Sequence, residues 1–197
     1  MIHEMLCNYQ LVLASASPRR KELFSLLGLT ASIIPADIAE PLTNEKPHVQ
    51  AMTHAKNKAQ FVLSTVPKGQ IVIAADTLVA IDAKVLGKPS NELQAREYLR
   101  ILSKREHIVF TGICLGLNSQ ILCDYEQTSV SFAAISEDEI SSYLKTGEPL
   151  DKAGAYGIQG YGSQFITGVN GCYFNVMGFP IRKFYEMLQV LLRSADL

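Results

Sequence analysis

The chain has 197 residues and a mass of 21.7 kDa. That is about one and a third typical domains, enough to remove about 70% of the unfolded surface from water without a covalent staple. Hydrophobic residues at 48% against charged residues at 19% exclude general disorder. Its 18 basic and 19 acidic side chains leave a formal charge of -1. A long nucleic-acid footprint needs a basic excess, so no nucleic-acid partner is expected, and any polyanion must be small and met by a local cluster.

The opening MIHEMLCNYQ carries an acid and no apolar stretch, so no secretory leader is expected. No run approaches the ~20 apolar residues of a bilayer span, so the expectation is a cytoplasmic protein with no membrane partner. Cys7, Cys114, Cys123 and Cys172 form no C-x-x-C pair and read as reduced thiols.

Gln10–Ala14 predicts a buried strand. Ser17-Pro18 reads as an N-cap and first helical residue, and the helix ends at Gly28, where a left-handed residue is tolerated. Thr30–Pro35 is a second strand, followed by a loop through Asp37 and Glu40. Pro47 opens a helix to about Ser64 with Ala51, Ala55, Ala59 and Val62 at helical spacing. Gln70–Ala75 predicts a buried strand that continues into Leu78–Ile81, then an Asp82-Ala83 turn to Val85-Leu86.

Ser90 is read as the cap of a helix to about Leu102. His107–Leu117 and Ile121–Phe132 form a long antiparallel pair. Ser136 to Glu139 has the S-x-x-E form that starts a helix. Phe165–Val169 and Cys172–Val176 flank Asn170-Gly171 and predict a hairpin, and Pro180 opens a last amphipathic helix. The sum is a mixed α/β protein whose strands reach a central cleft.

Several signatures are absent. Gly87-Lys88 is followed by Pro89 and does not complete a phosphate loop, Phe165 stands in the third place of a G-x-G-x-x-G pattern, and His3-Glu4 lacks the second histidine of H-E-x-x-H. His48, His54 and His107 show no metal-ligand spacing. What remains are charges at the ends of buried segments. Ser15 to Lys21 leaves a strand and enters a helix with three cations in the first turn, which opposes the helix dipole unless an anion arrives. Asp76-Thr77 closes an apolar run; alone, it is explained as well by capping a turn as by chemistry. Glu40 alone is a surface glutamate, and Lys58 alone is equally a solvated side chain. Lys88 sits on backbone restricted by the following proline. Glycines 154, 157 and 160 allow close backbone approach to a ligand, and Gln159 offers donor and acceptor to a base edge.

The blocks LASASPRRKEL, AADTLV, LGKP, GEPLDKAGAYGIQG and GCYFNVMGFP, in order over nearly the whole chain, resemble the Maf (septum formation inhibitor) family of nucleoside triphosphate pyrophosphatases. The departures are small: Ala75 stands for a common glycine and Phe179 for a common leucine. The resemblance implies an α/β fold similar to inosine triphosphate pyrophosphatases, with an elongated mixed sheet flanked by helices and two lobes around a cleft. It implies one domain over residues 1–197 with no separable linker, a homodimer and a divalent cation, Mg²⁺ or Mn²⁺.

By position, Asp76 is similar to the catalytic proton acceptor and, with Glu40, to the metal ligands; Ser15, Arg20, Lys58 and Lys88 match the triphosphate-binding set. Arg19, Thr77 and Gln159 match the branch acting on dTTP and UTP, where the 7-methyl-GTP branch carries Trp, Gln and Glu. The implied activity clears nucleotides that would enter nucleic acids, with a link to cell-division arrest. Alternatives are a non-catalytic regulator of septum formation and a pyrophosphatase for 7-methyl-GTP or noncanonical purine triphosphates. Cleavage of a cation-bridged nucleotide requires Arg20, Lys88, Glu40 and Asp76 to share one cavity.

Overall fold

Alternating short apolar runs and amphipathic stretches produce alternating strands and helices in the computed structural model, which describes residues 1–82 and 84–195. The first half comprises α1 (Ile2–Leu6), β1 (Leu11–Leu13), α2 (Pro18–Leu26), β2 (Ala31–Ile33) and α3 (Pro47–Leu63). Then come β3 (Ile71–Ile81), β4 (Lys84–Leu86), α4 (Glu92–Leu102), β5 (Glu106–Leu117), β6 (Gln120–Phe132) and α5 (Glu137–Leu144). Short 3₁₀ turns between Glu148 and Phe165 lead to β7 (Ile166–Asn170), α6 (Tyr173–Val176) and α7 (Ile181–Ala195). Among the described residues no helix is long and apolar enough to cross a membrane.

The strands make one seven-stranded sheet in the order β2-β1-β3-β5-β6-β7, with β4 added to β3. β1 is parallel to β2 and β3, and the other pairings are antiparallel, so the sheet is mixed as expected. One edge of β3 decides where the cleft falls. Ile71–Ile73 pair with β1 and Val79–Ile81 pair with β4. The residues between them lie where one strand has ended and the next has not begun. One apolar cluster, with Phe24, Phe179 and Phe184 at its centre, packs the β1 end; another, with Leu86, Leu99 and Tyr143, packs the β4 end.

α3 crosses the sheet at close range. Its buried face includes Ala51, Ala55 and Ala59, and beneath it lies Gly112, where a Cβ would stand 2.3 Å from the Ala51 backbone. Small residues on both sides therefore set the helix-to-sheet distance.

Several expectations are corrected. β3 runs unbroken through Asp76 and Thr77, opposite Gly112 and Thr111, so the aspartate caps no turn. α4 is capped by Asn91, whose side chain accepts from the Gln94 N–H at 2.9 Å, rather than by Ser90. The Ser17 side chain makes no capping bond. The hairpin at Asn170-Gly171 does not form. Thr128 Oγ1 accepts the Cys172 N–H at 3.0 Å and donates to the Cys172 carbonyl at 3.1 Å, and buried Asn175 donates to the Val109 carbonyl at 3.0 Å. These bonds turn the chain into α6 instead of a return strand. Finally, Cys114 and Cys123 are not free thiols: they face each other across β5 and β6 with Cα atoms 4.2 Å apart and form a disulfide, while Cys7 and Cys172 are free. The capping box on Ser136 and Glu139 forms as read.

Candidate active site

β1 delivers the chain through Ala14 and Ser15 to the first turn of α2, at the carboxyl ends of the parallel strands, where open α/β sheets place ligands. Ser15 Oγ accepts from the Ser17 N–H at 3.2 Å and from Arg20 Nη1 at 3.1 Å. Arg20 therefore folds inward, only 8% exposed. Its Nε donates to the Gly178 carbonyl at 2.8 Å and its Nη2 to Thr77 Oγ1 at 3.1 Å. These bonds commit one donor on each guanidinium nitrogen, so of the five N–H groups each terminal nitrogen keeps one toward an anion.

Thr77 sits in a directed chain of hydroxyls. Thr111 Oγ1 donates to the Asn175 carbonyl at 2.9 Å, so it accepts from Thr77 Oγ1 at 3.0 Å, and Thr77 in turn accepts from Arg20. The Thr77 hydroxyl is thus engaged in orienting the arginine. Gly178, at φ +98°, leaves room for this arrangement, since a Cβ there would stand 3.1 Å from Thr77 Oγ1.

Because α3 lies close, His54 and Lys58, one helical turn apart on its buried face, reach Asp76. Lys58 Nζ bridges two carboxylates, at 2.8 Å from Asp76 Oδ1 and 2.7 Å from Glu40 Oε1. His54 Nδ1 stands 3.0 Å from Asp76 Oδ2 and Nε2 stands 3.1 Å from the Pro41 carbonyl. Both partners accept, so both ring nitrogens carry protons. The bond to Asp76 raises the His54 pKa against the opposing effect of burial. Burial pushes the Asp76 carboxyl up, but the His54 bond and the Lys58 ammonium outweigh it and hold the group well below the usual carboxylate range.

All nine residues singled out in the sequence, Ser15, Arg19, Arg20, Glu40, Lys58, Asp76, Thr77, Lys88 and Gln159, line one cavity of about 520 Å³. Arg19 and Lys88 stand on its rim near Asp151. Burial would raise the Asp151 pKa, but the Lys152 hydrogen bond and then the charges of Lys152, Arg19 and Lys88 lower it. Sequence reasoning missed His54 and Thr111. The four-residue spacing of His54 and Lys58 on a helix was the one available signal for the histidine; nothing local pointed to Thr111.

A cation fits this centre. Carboxylate oxygens of Glu40 and Asp76 lie within 4.8 Å of each other and of a His54 ring nitrogen, which must lose its proton before it can ligate, and the ammonium between the two carboxylates shows that the pair already holds one positive charge. The arrangement is an α/β cleft in which cationic side chains face an acidic pair, Asp76 buried and Glu40 exposed, a chemistry suited to a polyphosphate that arrives with a cation. The chain belongs to the Maf-like protein family, whose model matches residues 10–191.

Among relatives, it is 45% identical to the dTTP/UTP pyrophosphatase of Caldicellulosiruptor saccharolyticus over 92% of this chain and 94% of that one. The dTTP/UTP pyrophosphatase of Koribacter versatilis is 47% identical over 91% and 93% of the two chains. That of Thermococcus kodakarensis is 44% identical over 91% and 96%. The solved Staphylococcus aureus Ham1 protein superposes with a TM-score of 0.46 at 15% identity over 80% of this chain and 79% of that one, a likeness too distant to carry weight.

Proposed function

We propose that the chain is a nucleoside triphosphate pyrophosphatase that cleaves dTTP and UTP between the α and β phosphates, releasing the monophosphate and pyrophosphate. The observation that carries the reading is the Lys58 ammonium held between Glu40 and Asp76 in the same cavity as Arg20. The names of relatives at 44–47% identity supply the substrates.

In this reading Ser15, Arg20, Lys58 and Lys88 bind the triphosphate, with developing charge met where it grows. Arg19, Thr77 and Gln159 set base preference. Glu40 and Asp76, with His54 beside them, would hold a hard divalent cation, Mg²⁺ or Mn²⁺, which neutralises phosphate charge. Asp76 orients and deprotonates the attacking water. In the resting site its two oxygens are engaged by Lys58 and His54. Those bonds hold its basicity down, so its role as acceptor is strengthened when the phosphates draw Lys58 away. One continuous sheet carrying both ends of the cleft supports a single functional unit. We further propose a homodimer, the state that the Maf resemblance implies.

The test is a panel of nucleoside triphosphates with and without Mn²⁺, scored for pyrophosphate rather than orthophosphate. Metal-dependent pyrophosphate release, fastest from dTTP and UTP, is expected. Binding without hydrolysis would favour a non-catalytic regulator, and a preference for 7-methyl-GTP would overturn the substrate assignment.

A further inference from the structure

Gln159 stands in the segment between two 3₁₀ turns, Ala153–Ala155 and Tyr161–Phe165, outside any strand or helix. Its path is held by Glu148 and Tyr143, neither of which lines the cavity. Glu148 Oε1 accepts the Gly162 N–H at 3.1 Å and the Tyr143 hydroxyl at 2.9 Å, and Oε2 accepts the Tyr161 N–H at 2.9 Å. On the other side of Gln159, the Gly157 N–H reaches the same Tyr143 hydroxyl at 3.4 Å. The chain is thus tied to one carboxylate–phenol pair both before and after the glutamine.

The fit is close. A Cβ at Gly160 would stand 2.5 Å from Glu148 Oε2, and one at Gly162 would stand 2.7 Å from the Tyr143 oxygen. Gly160 also takes φ +81°. Glycine at both positions is what lets the loop wrap this pair, since any side chain there would push it off. Tyr143 is itself buried in the cluster at the β4 end of the sheet, so the pair is anchored to the core. Burial, then the Glu148 bond, raise the Tyr143 pKa, so its hydroxyl stays a donor.

We propose that Glu148 is a positioning residue for base selection. It holds the 157–162 loop so that the Gln159 amide meets the edge of a pyrimidine, and it does so without touching the nucleotide. The inference rests on the reading of Gln159 as a base contact. A loop ordered in advance lowers the entropy lost on binding, so loosening it weakens recognition of the base while the triphosphate contacts across the cleft persist.

Glu148→Gln replaces one accepting oxygen with a donor facing a backbone N–H, and Tyr143→Phe removes the hydroxyl while keeping the ring. Tyr143→Phe serves if the first variant fails to fold. In either folded variant the KM for dTTP should rise roughly tenfold, the loss of one charge-assisted hydrogen bond. The preference for dTTP over dGTP should narrow. Competitive inhibition by inorganic tripolyphosphate should stay within about a factor of two, because that subsite is independent.

Gln159→Ala separates the two ideas. If it changes the base ranking while folded Glu148→Gln and Tyr143→Phe do not, the positioning role is overturned and the base contact survives. If Gln159→Ala leaves the ranking unchanged, the base reading falls and the inference falls with it. A parallel loss of tripolyphosphate inhibition in Glu148→Gln would mark a merely structural role and also overturn the proposal.

Discussion

On one wall of the cleft, Arg20, His54, Lys58 and Asp76 are buried and joined by side-chain bonds between helix and sheet. On the other, Lys88, Asp151 and Gln159 are exposed, on loop and 3₁₀ backbone. The difference shows how charge can be arranged around one ligand. A buried charge is tolerable only when paired, so the first wall holds its groups in one geometry whether or not a ligand is present. The second keeps its groups in water and relies on backbone ties, such as those to Glu148, for their placement. In the proposed function the proton acceptor Asp76 falls to the first wall and the Gln159 contact with the base to the second.

The sharpest way to test that division is Asp76→Asn. Turnover of dTTP should fall ~10²–10⁴-fold, the usual size of a proton-transfer contribution, while nucleotide binding measured by calorimetry persists. Near-normal pyrophosphate release would remove Asp76 from the reaction and blur the two walls.

A matched pair of lysines comes next. Lys58→Ala leaves Glu40 and Asp76 without their shared cation and should cost about 3–5 kcal/mol of stability in denaturant unfolding. Lys88→Ala, at an exposed position, should change stability by no more than about 0.5 kcal/mol and show itself in the KM for nucleotide. Equal effects on stability would break the comparison.

A pH-dependent effect concerns a support of the second wall. Buried His107 Nε2 lies 2.7 Å from the hydroxyl of Tyr156, which lines the cavity, and burial pushes its pKa down to about 4. A folded value below the unfolded one, near 6.5, means that the unfolded chain binds the extra proton between pH 6.5 and 4. Stability should therefore fall as pH drops through that window, by up to about 3 kcal/mol. His107→Leu should flatten the slope of unfolding free energy against pH there. An unchanged slope would show that the histidine titrates normally.

Much of the molecule was legible locally because helices and strands announce themselves by period and cap. The capping box at Ser136, the small-residue face of α3 and the long β5–β6 pair all follow from neighbours in sequence. The Asn170-Gly171 turn signal misled because the partners that bent the chain into α6, Thr128 and Val109, lie far away in sequence. The Cys114–Cys123 bond was hidden for the same reason. Nine residues apart they show no motif, and only the hairpin register sets them opposite.

The sequence by itself determined most of the order of elements, though not α1 or α6, the near-neutral charge and, through the resemblance to the Maf family, the nine polar residues that end in one cavity. Periodicity, capping and motif spacing are properties of residues close along the chain, so they can be read without coordinates. Only the tertiary structure decided that His54 grips Asp76, that Thr77 and Thr111 orient Arg20, and that Glu148 shapes the Gln159 loop. Each of these joins separate elements. Each depends on ångström-scale approach set by packing, above all by α3 lying against Gly112, which no one-dimensional pattern records.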